Sequence, residues 1–182
     1  MIAEHPGLRP LKLAGLSLKN RVIKSATYEG MSPGGRVSDD LIAHHARMAR
    51  GGVALTTVAY AAVSPAGRTF DQQLLLSPDR SLGFRRLTDA VHREGCAASI
   101  QLAHCGGFSS VRGPEGAVPG GPSPGWNRYG ASSGLLRVRA MSAGSIREAV
   151  EAFASAARLA RDCGFDAVEL HLGHGYLLSQ FL

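Results

Sequence analysis

A chain of 182 residues, 45% hydrophobic and 19% charged, has the length and apolar content of one folded domain, not of a disordered or fibrous protein. The formal charge of +6 comes from scattered basic residues, densest at Arg85-Arg86 and at Arg137 with Arg139, with no interleaved aromatics, so no phosphate-tracking nucleic-acid surface is expected. Cys96, Cys105 and Cys163 are odd in number and lack CxxC spacing, the N-terminus has no signal-peptide pattern, and no apolar run reaches the roughly 18 residues of a membrane span; a soluble cytoplasmic protein without disulfides is expected.

From Leu11 to Lys19 apolar and polar residues alternate around a glycine, which predicts a small hairpin. A first main strand follows over Arg21–Ala26 and runs out into Ser25, Ala26, Thr27, Tyr28, Glu29 and Gly30. The next helix takes Ser38 as N-cap, Asp39 and Asp40 in its first turn, and Leu41, His45, Met48 and Ala49 on one face, until Gly51-Gly52 stops it. Val53–Ala59 reads as the second strand, with Tyr60 at its polar exit. Phe84, Leu87, Ala90 and Val91 then mark a helix capped by Asp79 or Ser81 and ended by Gly95.

Ala97–Leu102 is the third strand, with Gln101, His104, Cys105, Gly106 and Gly107 at its exit. Residues 108–141, rich in Gly, Pro and Ser, are long enough to predict a substrate lid carrying Trp126, Arg128 and Tyr129, a disordered linker being the alternative. Ser145-Ile-Arg-Glu148 reads as a capping box, and Ile146, Ala149, Val150, Phe153, Ala157 and Ala160 form an apolar stripe down to Cys163-Gly164. The fourth strand spans Asp166–Leu172 and breaks into His171, His174 and Tyr176. His44, His45 and His92 read as ordinary packed or solvated side chains.

Helix, glycine stop, apolar strand and polar exit thus recur three times after an initial strand. Such repetition implies parallel strands with right-handed crossovers. The expected fold is α/β: the N-terminal half, about four βα units, of a (β/α)8 barrel preceded by a small β-hairpin, with the sequence ending after strand four. Parallel strands put their polar exits on one rim, where barrel chemistry sits. There Ser25, Thr27, Tyr60, Gln101, His104, His171, His174 and Tyr176 would come within reach of one ligand.

Four motifs then specify a family: Asn20-Arg21 opening a strand, Val63-Ser64-Pro65-Ala66-Gly67-Arg68, Gln101-Leu102-Ala103-His104-Cys105-Gly106, and His171-x-x-His174-Gly-Tyr176-Leu-Leu-x-Gln180-Phe-Leu. In this order and spacing the chain resembles the N-terminal half of the Old Yellow Enzyme family, NAD(P)H:flavin oxidoreductases built as FMN-holding (β/α)8 barrels. The resemblance implies that Ser25, Ala26, Thr27 and Tyr60 line the flavin and that Gln101 bonds its pyrimidine edge, an amide offering donor and acceptor together. It also implies that His171 and His174 bind a substrate carbonyl, with Tyr28 beside them, and that Tyr176 delivers a proton while reduced FMN passes a hydride to an activated alkene such as an enone. NADH or NADPH would be the reductant. Two departures stand out: Ala26, Thr27 and Tyr28 where many relatives carry proline and then threonine or cysteine, and Gly107 where many carry arginine.

Two other readings remain at this stage. Glu169, His171, His174 and His104 could be metal ligands of a barrel hydrolase. Alternatively, a non-catalytic half-barrel would associate with itself or with a missing C-terminal half, since parallel strands need cover on both faces.

Overall fold

The computed structural model describes residues 5–112 and 118–182. Strands β1 (Leu11–Leu13) and β2 (Leu16–Leu18) pair antiparallel, Leu11 opposite Leu18, as the predicted hairpin. Leu18 is buried with Ala54 and Leu55, so the hairpin covers the end at which the main strands begin.

The main sheet contains β3 (Ile23–Lys24), β4 (Leu55–Ala62), β5 (Ala97–Ala103) and, after three short strands, β9 (Ala167–Leu170), in the order β3-β4-β5-β9. All three pairings are parallel. The four strands are the expected ones, but the first is shorter than Arg21–Ala26: only Ile23 and Lys24 pair with β4 before the chain leaves the ladder. An edge strand with one neighbour has little to hold it beyond that point.

Helices α1 (Asp39–Arg50), α2 (Ser81–His92) and α3 (Ala143–Asp162) pack on the outer face of the sheet. Helix α1 starts as its sequence demands, Ser38 Oγ accepting the Leu41 N–H at 3.1 Å, and it buries Leu41, His45 and Ala49 at helical spacing. Helix α2 buries Phe84, Leu87, Thr88 and Val91, but neither Asp79 nor Ser81 caps it. A short 3-10 turn, Pro78–Arg80, leads into it, and Ser81 Oγ donates back to the Pro78 carbonyl. Helix α3 begins two residues before Ser145: Ser142 is the N-cap and accepts the Ser145 N–H at 3.1 Å.

The buried stripe of α3 runs through Ala156 and Ala160, whereas Val150 is 61% exposed. At 100° per residue, Val150 is rotated off the face that holds Ala149, Phe153, Ala156 and Ala160. The core lies between helices and sheet, with Val58, Ile100 and Leu102 from the strands meeting Leu41, Phe84, Leu87 and Val91. Burial of each such side chain contributes about 2 kcal/mol.

Residues 108–141 form no simple loop. They hold β6 (Gly120–Gly121), β7 (Gly125–Trp126) and β8 (Arg137–Ala140), ordered β6-β8-β7, with Gly120 parallel to Arg139 and Gly125 antiparallel to Val138. Asn127 ties this small sheet to the exit of β5, donating to the Ser109 carbonyl at 2.6 Å while its Oδ1 accepts the Gly130 N–H at 3.0 Å. The disordered-linker alternative therefore fails for the described part; residues 113–117 lie outside it.

Candidate active site

The strands' C-terminal ends bring the predicted residues to one rim. Tyr60, near the end of β4, places its hydroxyl 2.9 Å from that of Tyr176, which follows β9. His171 sits between them in space, its ring 5.8 Å from Tyr60, 5.0 Å from Tyr176 and 4.9 Å from His174. His171 and Tyr176 are buried at 8% and 5% exposure, and His174 is exposed.

The turn after β9 produces this grouping. His174 (φ 59°) and Gly175 (φ 71°) are consecutive left-handed residues, and a non-glycine residue in that region is uncommon enough to mark a constraint. They turn the chain sharply, so His174 and Tyr176 both approach His171. Gln180, from the short helix α4 (Leu177–Gln180), clamps the turn to β5: its Nε2 donates to the Gly175 and Cys105 carbonyls and its Oε1 accepts the Gly107 N–H. A Cβ on Gly106 (φ 61°) would lie 2.4 Å from that Oε1, so a larger residue would be strained and would push the Gln180 amide out of this clamp.

Burial sets the protonation states. It lowers the pKa of His171, with the nearby His174 adding to the effect, so the imidazole is neutral at pH 7. It raises the pKa of Tyr176, and that of Tyr60 more strongly, so both phenols keep their protons. His104, 9% exposed, accepts the Gly106 N–H on Nδ1, and burial pushes its pKa down to about 4. It stands behind the cluster as a neutral structural side chain.

The flavin-lining candidates occupy the same rim. Ser25 and Thr27 are exposed, Ala26 is half-buried, and outside strand pairing none of the three hydrogen-bonds to a described residue. Their open peptide groups and small side chains suit a flat heteroaromatic edge. Gln101, on the same face of the sheet as its register partner Glu169, donates one N–H to Glu169 Oε1 at 2.5 Å and leaves its own Oε1 and second N–H open. These residues fit an isoalloxazine. Tyr28, 48% exposed, packs edge-on against Phe70 at 5.2 Å and Tyr60 at 6.1 Å, which places it beside the tyrosine pair.

Several contributors carried no clear sequence signal. Phe70 completes the aromatic wall. Phe108 stacks on Tyr129 at 4.4 Å and approaches Tyr176 at 5.7 Å, linking the small sheet to the rim. Lys24 and Glu29 form an ion pair that brackets Ser25–Tyr28, and buried His45 supports it, with Nε2 3.3 Å from Glu29 Oε1 and Nδ1 2.8 Å from Thr56 Oγ1. Two opposite charges flanking a short polar loop were the available clue. His92 also has a partner, Asp166 Oδ2 at 2.8 Å. Among the described residues no group of three or more His, Cys, Asp and Glu is placed to hold a metal ion.

Parallel strands with outer helices and a polar C-terminal rim are the arrangement of part of a (β/α)8 barrel. The sequence model of the NADH:flavin oxidoreductase / NADH oxidase family matches residues 8–182, and the chain belongs to that family of FMN- and NAD(P)H-using oxidoreductases. It is 44% identical to 4,4'-dithiodibutanoate disulfide reductase of Rhodococcus erythropolis, covering 95% of this chain and 42% of that protein. With NADPH dehydrogenase of Bacillus subtilis it shares 34% identity, over 95% of this chain and 50% of the relative. Morphinone reductase in complex with tetrahydroNAD superposes with a TM-score of 0.87 at 28% identity, covering 98% of this chain and 52% of that one. The Old Yellow Enzyme of a Pichia species gives 0.90 at 23% identity, covering 100% of this chain and 49% of that one, a likeness of fold. The chain spans about half the length of the curated relatives it matches.

Proposed function

We propose that this rim belongs to an ene-reductase of the Old Yellow Enzyme type, acting on a small activated alkene such as an enone. The observation that carries the reading is the hydroxyl pair of Tyr60 and Tyr176 at 2.9 Å, set against the rings of His171 and His174. Ser25, Ala26, Thr27, Tyr60 and Gln101 would hold FMN, which, with NADH or NADPH as reductant, would supply the hydride for the β-carbon of the alkene. This chain's residues manage the charge and the proton.

His171 and His174 donate N–H groups to the substrate carbonyl oxygen, where negative charge develops. One well-aimed donor of this kind commonly lowers the barrier by roughly 3 kcal/mol. A neutral His171 serves, since one ring nitrogen carries the hydrogen. Tyr176 delivers its proton to the α-carbon, and its raised pKa keeps that proton available across the neutral range. Tyr60 orients the Tyr176 hydroxyl, and Tyr28 packs against the substrate from the β3 side. Residues 108–141 serve as the substrate cap.

Purified protein supplemented with FMN and NADPH should reduce an enone such as 2-cyclohexenone. In Tyr176→Phe, NADPH should still bleach the flavin, while enone turnover falls by about a hundredfold or more. Undiminished turnover in that variant would remove Tyr176 as proton donor. Absence of enone reduction by the FMN-loaded wild type would remove the reading itself.

A further inference from the structure

Beside the rim a cavity of about 480 Å³ opens between the small sheet and the exit of β5. Gly175, from the His174–Tyr176 turn, lines it, as does Phe108, whose ring is 5.7 Å from that of Tyr176. The cavity therefore adjoins the turn that carries the proposed donors.

Its polar side chains are few, and two of them already have partners. Asn127 uses both ends of its amide to hold Ser109 and Gly130. Gln180 uses both ends to hold Gly107, Cys105 and Gly175. Ser123 and Arg128 remain; neither side chain makes a hydrogen bond or ion pair among the described residues. Among the described residues Arg128 is the only charged one lining the cavity, and none of the others there is acidic. Trp126, 76% exposed, supplies an apolar plate beside it.

We infer that this cavity is a substrate subsite that takes a carboxylate, so that the preferred alkenes carry an anionic group beyond the carbonyl held by the histidines. A guanidinium presents two parallel N–H donors in the geometry that a carboxylate accepts, and such charge-assisted pairs are stronger than neutral hydrogen bonds. Ser123 adds a hydroxyl donor. The indole covers the alkyl or aryl body that joins carboxylate to alkene. A neutral substrate would use only the indole.

The substrate class rests on the ene-reductase reading, but its test has a readout that does not. Trp126 is the chain's only tryptophan, so its fluorescence reports occupancy of the cavity directly. The probes are 4-oxopent-2-enoate and its methyl ester, which share an enone and differ in charge. In the titration of the wild-type protein the acid should bind about tenfold or more tightly than the ester, as expected for one charge-assisted pair, and the preference should shrink as salt rises. Arg128→Gln should abolish that preference, and Arg128→Lys, which keeps the charge without the fork, should restore part of it. With FMN and NADPH present, the acid-to-ester ratio of kcat/KM should follow the same order across the three proteins. Equal binding of acid and ester to the wild type, or a preference unchanged in Arg128→Gln, would overturn the inference. Discrimination in fluorescence without reduction of either compound by the FMN-loaded protein would sustain the anion site and overturn the ene-reductase reading.

Discussion

Tyr176 and Glu29 show how one side chain can be held by contacts from distant parts of the chain. The Tyr176 hydroxyl meets a phenol 116 residues earlier, and its ring is walled by His171 and Phe108. Glu29, with its side chain 4% exposed, is paired with Lys24 and His45, and these partners hold its carboxyl below the usual range despite burial. Replacing one member of a buried pair leaves the other charge without compensation. Glu29→Gln should therefore lower unfolding free energy by about 3 kcal/mol in urea titration, and it should loosen Ser25–Tyr28 enough to weaken FMN binding. Gly107 stands at one departure from the family: a Cβ there would lie 2.8 Å from the Val138 side chain, which would have to shift to admit a larger residue. His104 gives a pH signature. Its pKa of about 4 in the fold lies below the ordinary 6.5, so the unfolded chain takes up its proton first as pH falls. Stability from this residue is complete above about 6.5 and is lost through the window down to about 4, a change of about 3 kcal/mol. The melting temperature should fall over that range, and His104→Asn should flatten the profile.

At the scale of elements, the helices show which local signals are decisive. Ser38 caps α1 as its sequence position requires, because an extended residue with an oxygen acceptor directly precedes the first turn. For α3 two serines compete. Ser145 has glutamate three residues on, yet Ser142 has the extended backbone (ψ 163°) and accepts the Ser145 N–H. Ser142→Ala should cost about 1 kcal/mol in chemical denaturation and Ser145→Ala only a few tenths; the reverse order would restore the capping box. The small sheet β6-β8-β7 escaped the pattern because strands of two to four residues, glycine-rich at both ends, show no alternation. Its anchor is Asn127, a loop residue whose two hydrogen bonds exist only once β5 has delivered Ser109.

At the scale of the whole molecule, the four-stranded sheet of the described residues has two open edges. On β3 and its approach, Val22 and Ile23 are 44% and 43% exposed; on β9 and its exit, Val168, Leu170 and Leu172 are 43%, 50% and 51% exposed. Unpaired strands with apolar side chains recruit further strands. The 182-residue chain on its own should self-associate in sedimentation velocity, and Val168→Lys with Leu170→Lys should shift it toward monomer. Barrels of this type hold phosphate with loops after strands seven and eight, and the described residues form four parallel strands. As a monomer it should bind FMN weakly; tight stoichiometric binding in flavin-fluorescence titration would show that the contacts on this rim suffice.

By itself the sequence determined the order and type of the main elements, because apolar spacing, glycine stops and a serine cap act over a few residues and leave their period in the chain. It also determined the family, through Gln101, His171, His174 and Tyr176 at fixed spacing from their strands. Tertiary structure decided what depends on distance across the fold: the Tyr60–Tyr176 bond, the Lys24–Glu29–His45 cluster, the clamp by Gln180, and the cavity that Arg128 lines. No local period encodes such contacts. They arise where parallel strands end at a common rim and helices and loops fill the space around it.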